Sequence, residues 1–157
     1  MSRIPLIAGS LVVLALLGCA PGNDSAAAPA EAKAVPAPEP PGPAPEGILS
    51  MNYMDAATAL ADDDFEKARA SLAAFAKETT GALQTKAQAA ADTGQIAGMR
   101  EAFKHLSALA TRMQLPPEYA VAYCPMYKGG SNWVQKKDKL ANPYYGKTML
   151  TCGSFVN

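Results

Sequence analysis

Two short stretches near the C-terminal end carry the residue types best suited to chemistry, Cys124-Pro125-Met126 and Met149-Leu150-Thr151-Cys152. Each sets a thiol close to a thioether in a chain that holds only 3 cysteines. Thiolates and thioethers are soft donors that favour monovalent copper or silver, whereas calcium and magnesium prefer oxygen ligands. A histidine-rich zinc site is excluded, because His105 is the sole imidazole. The candidate metal ligands are therefore Cys124 and Cys152 as thiolates and Met126 and Met149 as thioethers, with binding coupled to loss of the thiol protons. His105 is a candidate additional ligand, set against a plain surface position paired with Glu101. The opposing chemistry is a Cys124–Cys152 disulfide, which cysteine arithmetic favours in an oxidising compartment and which would stabilise by roughly 3 kcal/mol. Both readings stay open, since a reduced pair would hold Cu(I) and an oxidised pair would release it. No nucleophile, base and orienting acid come together in a recognisable motif, and no Cys-x-x-Cys redox centre is present, so an enzyme is not expected.

These sulfurs need a compartment and a scaffold. Residues 1–18 read as a signal peptide: a short positive start at Arg3, an apolar run from Ile4 to Leu17, and the closing Leu16-Leu17-Gly18 before Cys19. The ending resembles the lipobox of bacterial lipoproteins, in which the cysteine is lipidated. That resemblance implies a Cys19 lipid anchor in the cell envelope, at the periplasmic face of the outer membrane. Residues 19–46 are alanine- and proline-rich and cannot bury enough apolar surface to fold, so they read as an extended tether. Residues 47–157 have the length of one ordinary domain. The formal net charge of +0 gives no electrostatic reason to expect nucleic acid as a partner, and the domain is expected to be monomeric.

Helical spacing dominates the first part of that domain. Leu49, Tyr53, Ala56, Ala57 and Leu60 predict a helix over 48–61. Asp63 followed by Glu66 has capping-box spacing, and Phe65, Ala68, Leu72 and Phe75 line a second helix. An alanine-rich third helix over 82–92 is expected to be more exposed. Ile96, Met99, Phe103, Leu106, Ala110 and Met113 then mark a long last helix, stopped by Pro116 and Pro117. Met99 and Met113 are read as packing residues of this stripe. The fold class expected is all-α, a small up-and-down helix bundle with an irregular C-terminal tail packed on it. In the tail, Tyr119, Val121 and Tyr123 form a short extended run, 128–132 a Gly-Gly turn, 135–140 one or two helical turns, and Asn142-Pro143 another turn. Tyr123, Tyr127, Trp133, Tyr144 and Tyr145 are expected to form a satellite apolar cluster around the sulfurs.

The whole pattern of the tail, Cys-Pro-Met, a glycine-containing loop, Trp133, then Asn142-Pro143-Tyr144-Tyr145-Gly146 and Met149-Leu150-Thr151-Cys152-Gly153, resembles a bacterial periplasmic domain of unassigned function. That domain occurs in small lipoproteins and at the C-terminal end of periplasmic adaptor subunits of copper and silver efflux pumps. The resemblance extends over nearly all of 47–153 and includes an Arg-x-x-Phe-x-x-Leu-Ser stretch, matched by Arg100, Phe103, Leu106 and Ser107. Where many members have a histidine before that phenylalanine, this chain has Ala102. The resemblance implies heavy-metal handling. The expectation is a periplasmic lipoprotein that binds Cu(I) or Ag(I) for buffering or hand-over to an efflux-pump adaptor. The alternative is a disulfide-stapled interaction module with no metal role.

Overall fold

Capping and apolar spacing set the helices. The computed structural model describes residues 44–156, so the signal segment, Cys19 and the tether up to residue 43 lie outside the described residues. Helix α1 (Met51–Ala61) starts at Ser50, whose Oγ accepts the Asn52 N–H at 3.1 Å, and its buried face carries Tyr53, Ala56, Ala57 and Leu60. Helix α2 (Phe65–Glu78) is capped by Asp64, whose Oδ1 accepts the Lys67 N–H at 3.0 Å. The capping residue expected from spacing was Asp63. Asp63 is instead held in the left-handed region at φ 61°, which turns its carboxylate away from the helix and toward α4 (Ile96–Ala110). Helix α3 (Gly81–Ala91) buries only Leu83 and three alanines, as its alanine-rich sequence implies. On α4 the stripe of Met99, Phe103, Leu106 and Ala110 is fully buried, while Met113 lies beyond the helix and is partly buried against the core.

The expected all-α class is overturned in the tail. After α4 the chain builds a three-stranded antiparallel sheet in the order β2-β1-β3, from β1 (Tyr119–Cys124), β2 (Ser131–Lys136) and β3 (Ser154–Phe155), with a 3₁₀ turn at Gly146–Met149. The class is mixed helix and sheet. The physical reason is that an extended segment in a packed domain must pair its backbone N–H and C=O groups, and β1 finds a partner on each side. Strand β2 gave no period-two signal because Trp133, Val134 and Gln135 are all buried in succession. The helical turns expected over 135–140 are absent: Gln135 and Lys136 end β2, and the rest is turn.

One core joins helices and sheet. Tyr53 stacks on Phe103 with ring centroids 5.2 Å apart, Phe103 meets Tyr144 at 6.1 Å, and Tyr144 meets Trp133 edge-on at 5.8 Å. The aromatic cluster is therefore continuous with the helical core rather than a satellite of it. Strand β2 lies at one edge of the sheet, and phenols bond two of its backbone groups. Tyr53 Oη accepts the Val134 N–H at 3.3 Å, and Tyr144 Oη donates to the Asn132 carbonyl. Desolvation in this core pushes the ionisation of both phenols far up, so both stay neutral at any ordinary pH. Ser107 completes the Tyr53 bond at 2.7 Å, which accounts for a serine on the buried face of α4.

Candidate functional site

The register of the sheet brings the sulfurs together. Tyr123 of β1 lies opposite Ser154 of β3, so the next step along the antiparallel ladder sets Cys124 against the segment that contains Cys152 and Gly153. Their Sγ atoms stand 3.5 Å apart although the residues are 28 positions apart in the chain. Gly153 makes this approach feasible. Its φ is 134°, and a Cβ there would come within 2.6 Å of the Tyr123 carbonyl oxygen.

Both thiols are free, and their surroundings differ. Cys124 is fully buried, whereas Cys152 is partly exposed, so solvent reaches the pair from its side. The hydrogen bond with Cys124, reinforced by burial, holds the Cys152 thiol above the usual thiol range. The separation of 3.5 Å lies between two chemical outcomes. A disulfide requires about 2.05 Å between sulfurs. Two thiolates on one ion, with metal–sulfur bonds of about 2.3 Å, stand at most about 4.6 Å apart. The observed separation thus lies between the two.

The thioethers and the histidine are placed differently. Met126 exposes 64% of its surface and Met149 39%, so both border the solvent and neither is packed into the core. They flank the thiols in sequence, two residues after Cys124 and three before Cys152, on the two segments that converge. His105 is exposed on α4, and the Glu101 partner expected for it is taken by Lys128, with Nζ 2.6 Å from Oε2. Among the described residues no group of three or more His, Cys, Asp or Glu side chains is assembled to hold an ion. His105 therefore does not complete a metal cluster with the two thiols.

A turn at 142–146 holds the converging segments. Asn142 is fully buried; its Nδ2 donates to the Cys152 carbonyl at 2.6 Å and its Oδ1 accepts the Tyr144 N–H at 2.8 Å. Its backbone N–H donates to the Leu150 carbonyl at 2.7 Å, and its carbonyl accepts the Gly146 N–H at 3.1 Å. Tyr145 Oη donates to the Met126 carbonyl at 3.0 Å, reaching the other sulfur segment. From below, Arg100 on α4 donates to the Pro143 carbonyl at 2.9 Å, to the Leu60 carbonyl at 2.8 Å and to Asp63 Oδ1 at 2.5 Å. Asp63 Oδ2 in turn accepts the Lys147 N–H at 3.2 Å. Gly146, at φ 57°, is required here, because a Cβ would collide with Asp63 Oδ1 and Arg100 Nη2.

Sequence reasoning placed the two cysteines in one site, but it read Asp63 as a helix cap, Arg100 only as part of a motif, Asn142 as a turn residue and Tyr145 as an aromatic cluster member, and brought none of them to the sulfurs as hydrogen-bonding groups. The Asn-Pro dipeptide signalled a turn without saying what its amide would grip. A cationic residue next to a buried helix stripe signals only that something anionic or carbonyl-rich must lie opposite it. No family model, curated protein or solved structure matches this chain.

Proposed function

We propose that the domain binds one soft monovalent ion, Cu(I) or Ag(I), through the Cys124 and Cys152 thiolates, with Met126 and Met149 closing over the ion from the solvent side. The observation that carries this reading is the 3.5 Å contact between two sulfurs from segments 28 residues apart. A soft d¹⁰ ion is satisfied by two or three sulfur donors, whereas zinc would want a fuller set of thiolate or imidazole ligands. Exposed methionines beside a partly exposed thiol suit an ion that must arrive and leave. With a lipid on Cys19 and residues 19–46 as a tether, such a domain would buffer the ion in the cell envelope or pass it to an efflux-pump adaptor.

A second reading is supported by a specific observation. Cys124 is fully buried and the Cys152 thiol is held protonated, an environment that disfavours standing thiolates and suits a Cys124–Cys152 disulfide. In that case the tail is stapled and the domain is an interaction module. Titration of the reduced protein with Cu(I) against a coloured competing chelator separates the two. Uptake of one equivalent, lost in Cys152→Ser and weakened in Met126→Leu, supports the metal site. No uptake by the reduced protein, together with a disulfide that persists in copper-stressed cells, leaves the staple. Membrane fractionation of Cys19→Ser tests the anchor; a variant still membrane-bound after signal cleavage would refute it.

A further inference from the structure

Resting on the soft-metal reading, we infer that Tyr145 and Asn142 are positioning residues for the sulfur site, and that the Tyr145 hydroxyl commits Met126 to the ion. Beyond the β1–β3 ladder and the thiol contact, each sulfur segment is held by a backbone carbonyl to the same turn. Asn142 Nδ2 takes the Cys152 carbonyl at 2.6 Å, and Tyr145 Oη takes the Met126 carbonyl at 3.0 Å. Asn142 Oδ1 binds the N–H groups of Tyr144 and Tyr145 at 2.8 and 3.4 Å, so the two grips are parts of one rigid unit. Between them Tyr127 is stacked on Tyr144 at 4.7 Å and meets Tyr145 edge-on at 5.6 Å, which fixes the residue that follows Met126. The turn therefore adds a second constraint, beyond the β1–β3 ladder, on the segments that carry all four sulfurs.

The two grips differ in what they contribute to folding. Asn142 is fully buried, so its loss damages fold and site together. The Tyr145 bond is exposed, and water would satisfy the Met126 carbonyl nearly as well. Its hydroxyl thus adds little stability, but it restricts where the Cys124-Pro125-Met126 segment sits after leaving β1. A mobile thioether loses more entropy on closing over an ion than one already held in place.

The test uses the full chain in a Cys19→Ser background, which leaves Cys124 and Cys152 as the only thiols, comparing the parent with Tyr145→Phe, Met126→Leu and the double variant. Cu(I) affinity is read by chelator competition on reduced protein, and thermal unfolding is followed alongside. Tyr145→Phe is expected to melt within about 2 °C of the parent and to bind Cu(I) about fivefold more weakly, the size of one positional hydrogen bond. The double variant is expected to bind no more weakly than Met126→Leu alone, because the hydroxyl acts through that thioether. Parent-like affinity in Tyr145→Phe, or losses that simply add, would overturn the inference. If the parent takes up no Cu(I), the metal reading fails, and positioning is judged by equilibrium with glutathione disulfide. There the Cys124–Cys152 dithiol gives up two electrons and two protons, forming its own disulfide and two glutathione thiols. A shift of about threefold toward the dithiol in Tyr145→Phe upholds the role of the turn, and an unchanged constant refutes it.

Discussion

Replacing Arg100 by methionine removes the guanidinium and leaves an unbranched apolar stem, and the structure allows the cost to be built bond by bond. The Pro143 carbonyl belongs to a buried residue and loses its 2.9 Å donor, which costs about 2 kcal/mol. The Leu60 carbonyl keeps the N–H groups of Asp62 and Asp63, so losing the 2.8 Å arginine bond there costs only about 0.5 kcal/mol. The Asp63 side chain is 38% exposed and retains the Lys147 N–H, so solvent screening limits that ion pair to about 0.5 kcal/mol. The total, about 3 kcal/mol, is a large fraction of the stability of a domain this size. In urea unfolding with a slope of about 1.5 kcal/mol/M it would move the midpoint down by about 2 M. Arg100→Lys should recover less than half, because one ammonium cannot fork among three acceptors. A midpoint shift below about 0.3 M in Arg100→Met would refute the claim that this side chain ties the sulfur-bearing tail to the helices. The same pair carries a pH signature. Hydrogen bonding from Arg100 holds the Asp63 carboxyl below its ordinary value of 3.8, so the folded state binds that proton more weakly than the unfolded state. Its stabilisation is complete above pH 3.8 and is lost as the pH falls through the lower folded value. The gap between wild type and Arg100→Met should therefore narrow below pH 3.8 and stay constant at neutral pH.

Gly146→Ala should destabilise by about 2–3 kcal/mol in the same urea assay, because the added methyl meets both strained backbone and the Asp63–Arg100 pair; a neutral effect would mean the turn relaxes freely. Asn142→Ala, which strands the Cys152 carbonyl and the Tyr144 N–H in the interior, should cost about 4 kcal/mol, while an exposed control such as Lys147→Ala should stay within about 0.5 kcal/mol. Oxidation of the thiol pair should raise unfolding free energy by roughly 3 kcal/mol, from the loop of about thirty residues that it closes; a lower stability on oxidation would show that the segments are strained by the bond. Alkylation followed by mass spectrometry should label Cys152 well before Cys124, since only Cys152 reaches solvent, and its rate should keep rising with pH past the usual thiol range; equal labelling would refute the burial difference.

Much of the helical half was legible in residue order, because a helix declares itself locally. The three-and-four spacing of Tyr53, Ala56, Ala57 and Leu60, and of Met99, Phe103, Leu106 and Ala110, depends only on the 3.6-residue period, and those residues are the core. The sulfur residues were legible by type alone, since soft donors are few. Strand pairing was not legible, because it joins distant segments: nothing in Ser131–Lys136 or Ser154–Phe155 announces that both lie beside Tyr119–Cys124. Burial of Trp133, Val134 and Gln135 in succession also erased the alternation that marks a half-exposed strand. Residue order supplied two cysteines and two methionines as candidates. Tertiary structure decided that the thiols touch, that one is buried and the other open, and that the methionines border the solvent. It also decided that Asp63 leaves the helix cap to meet Arg100, because a carboxylate left unpaired near that guanidinium would forgo the stronger bond.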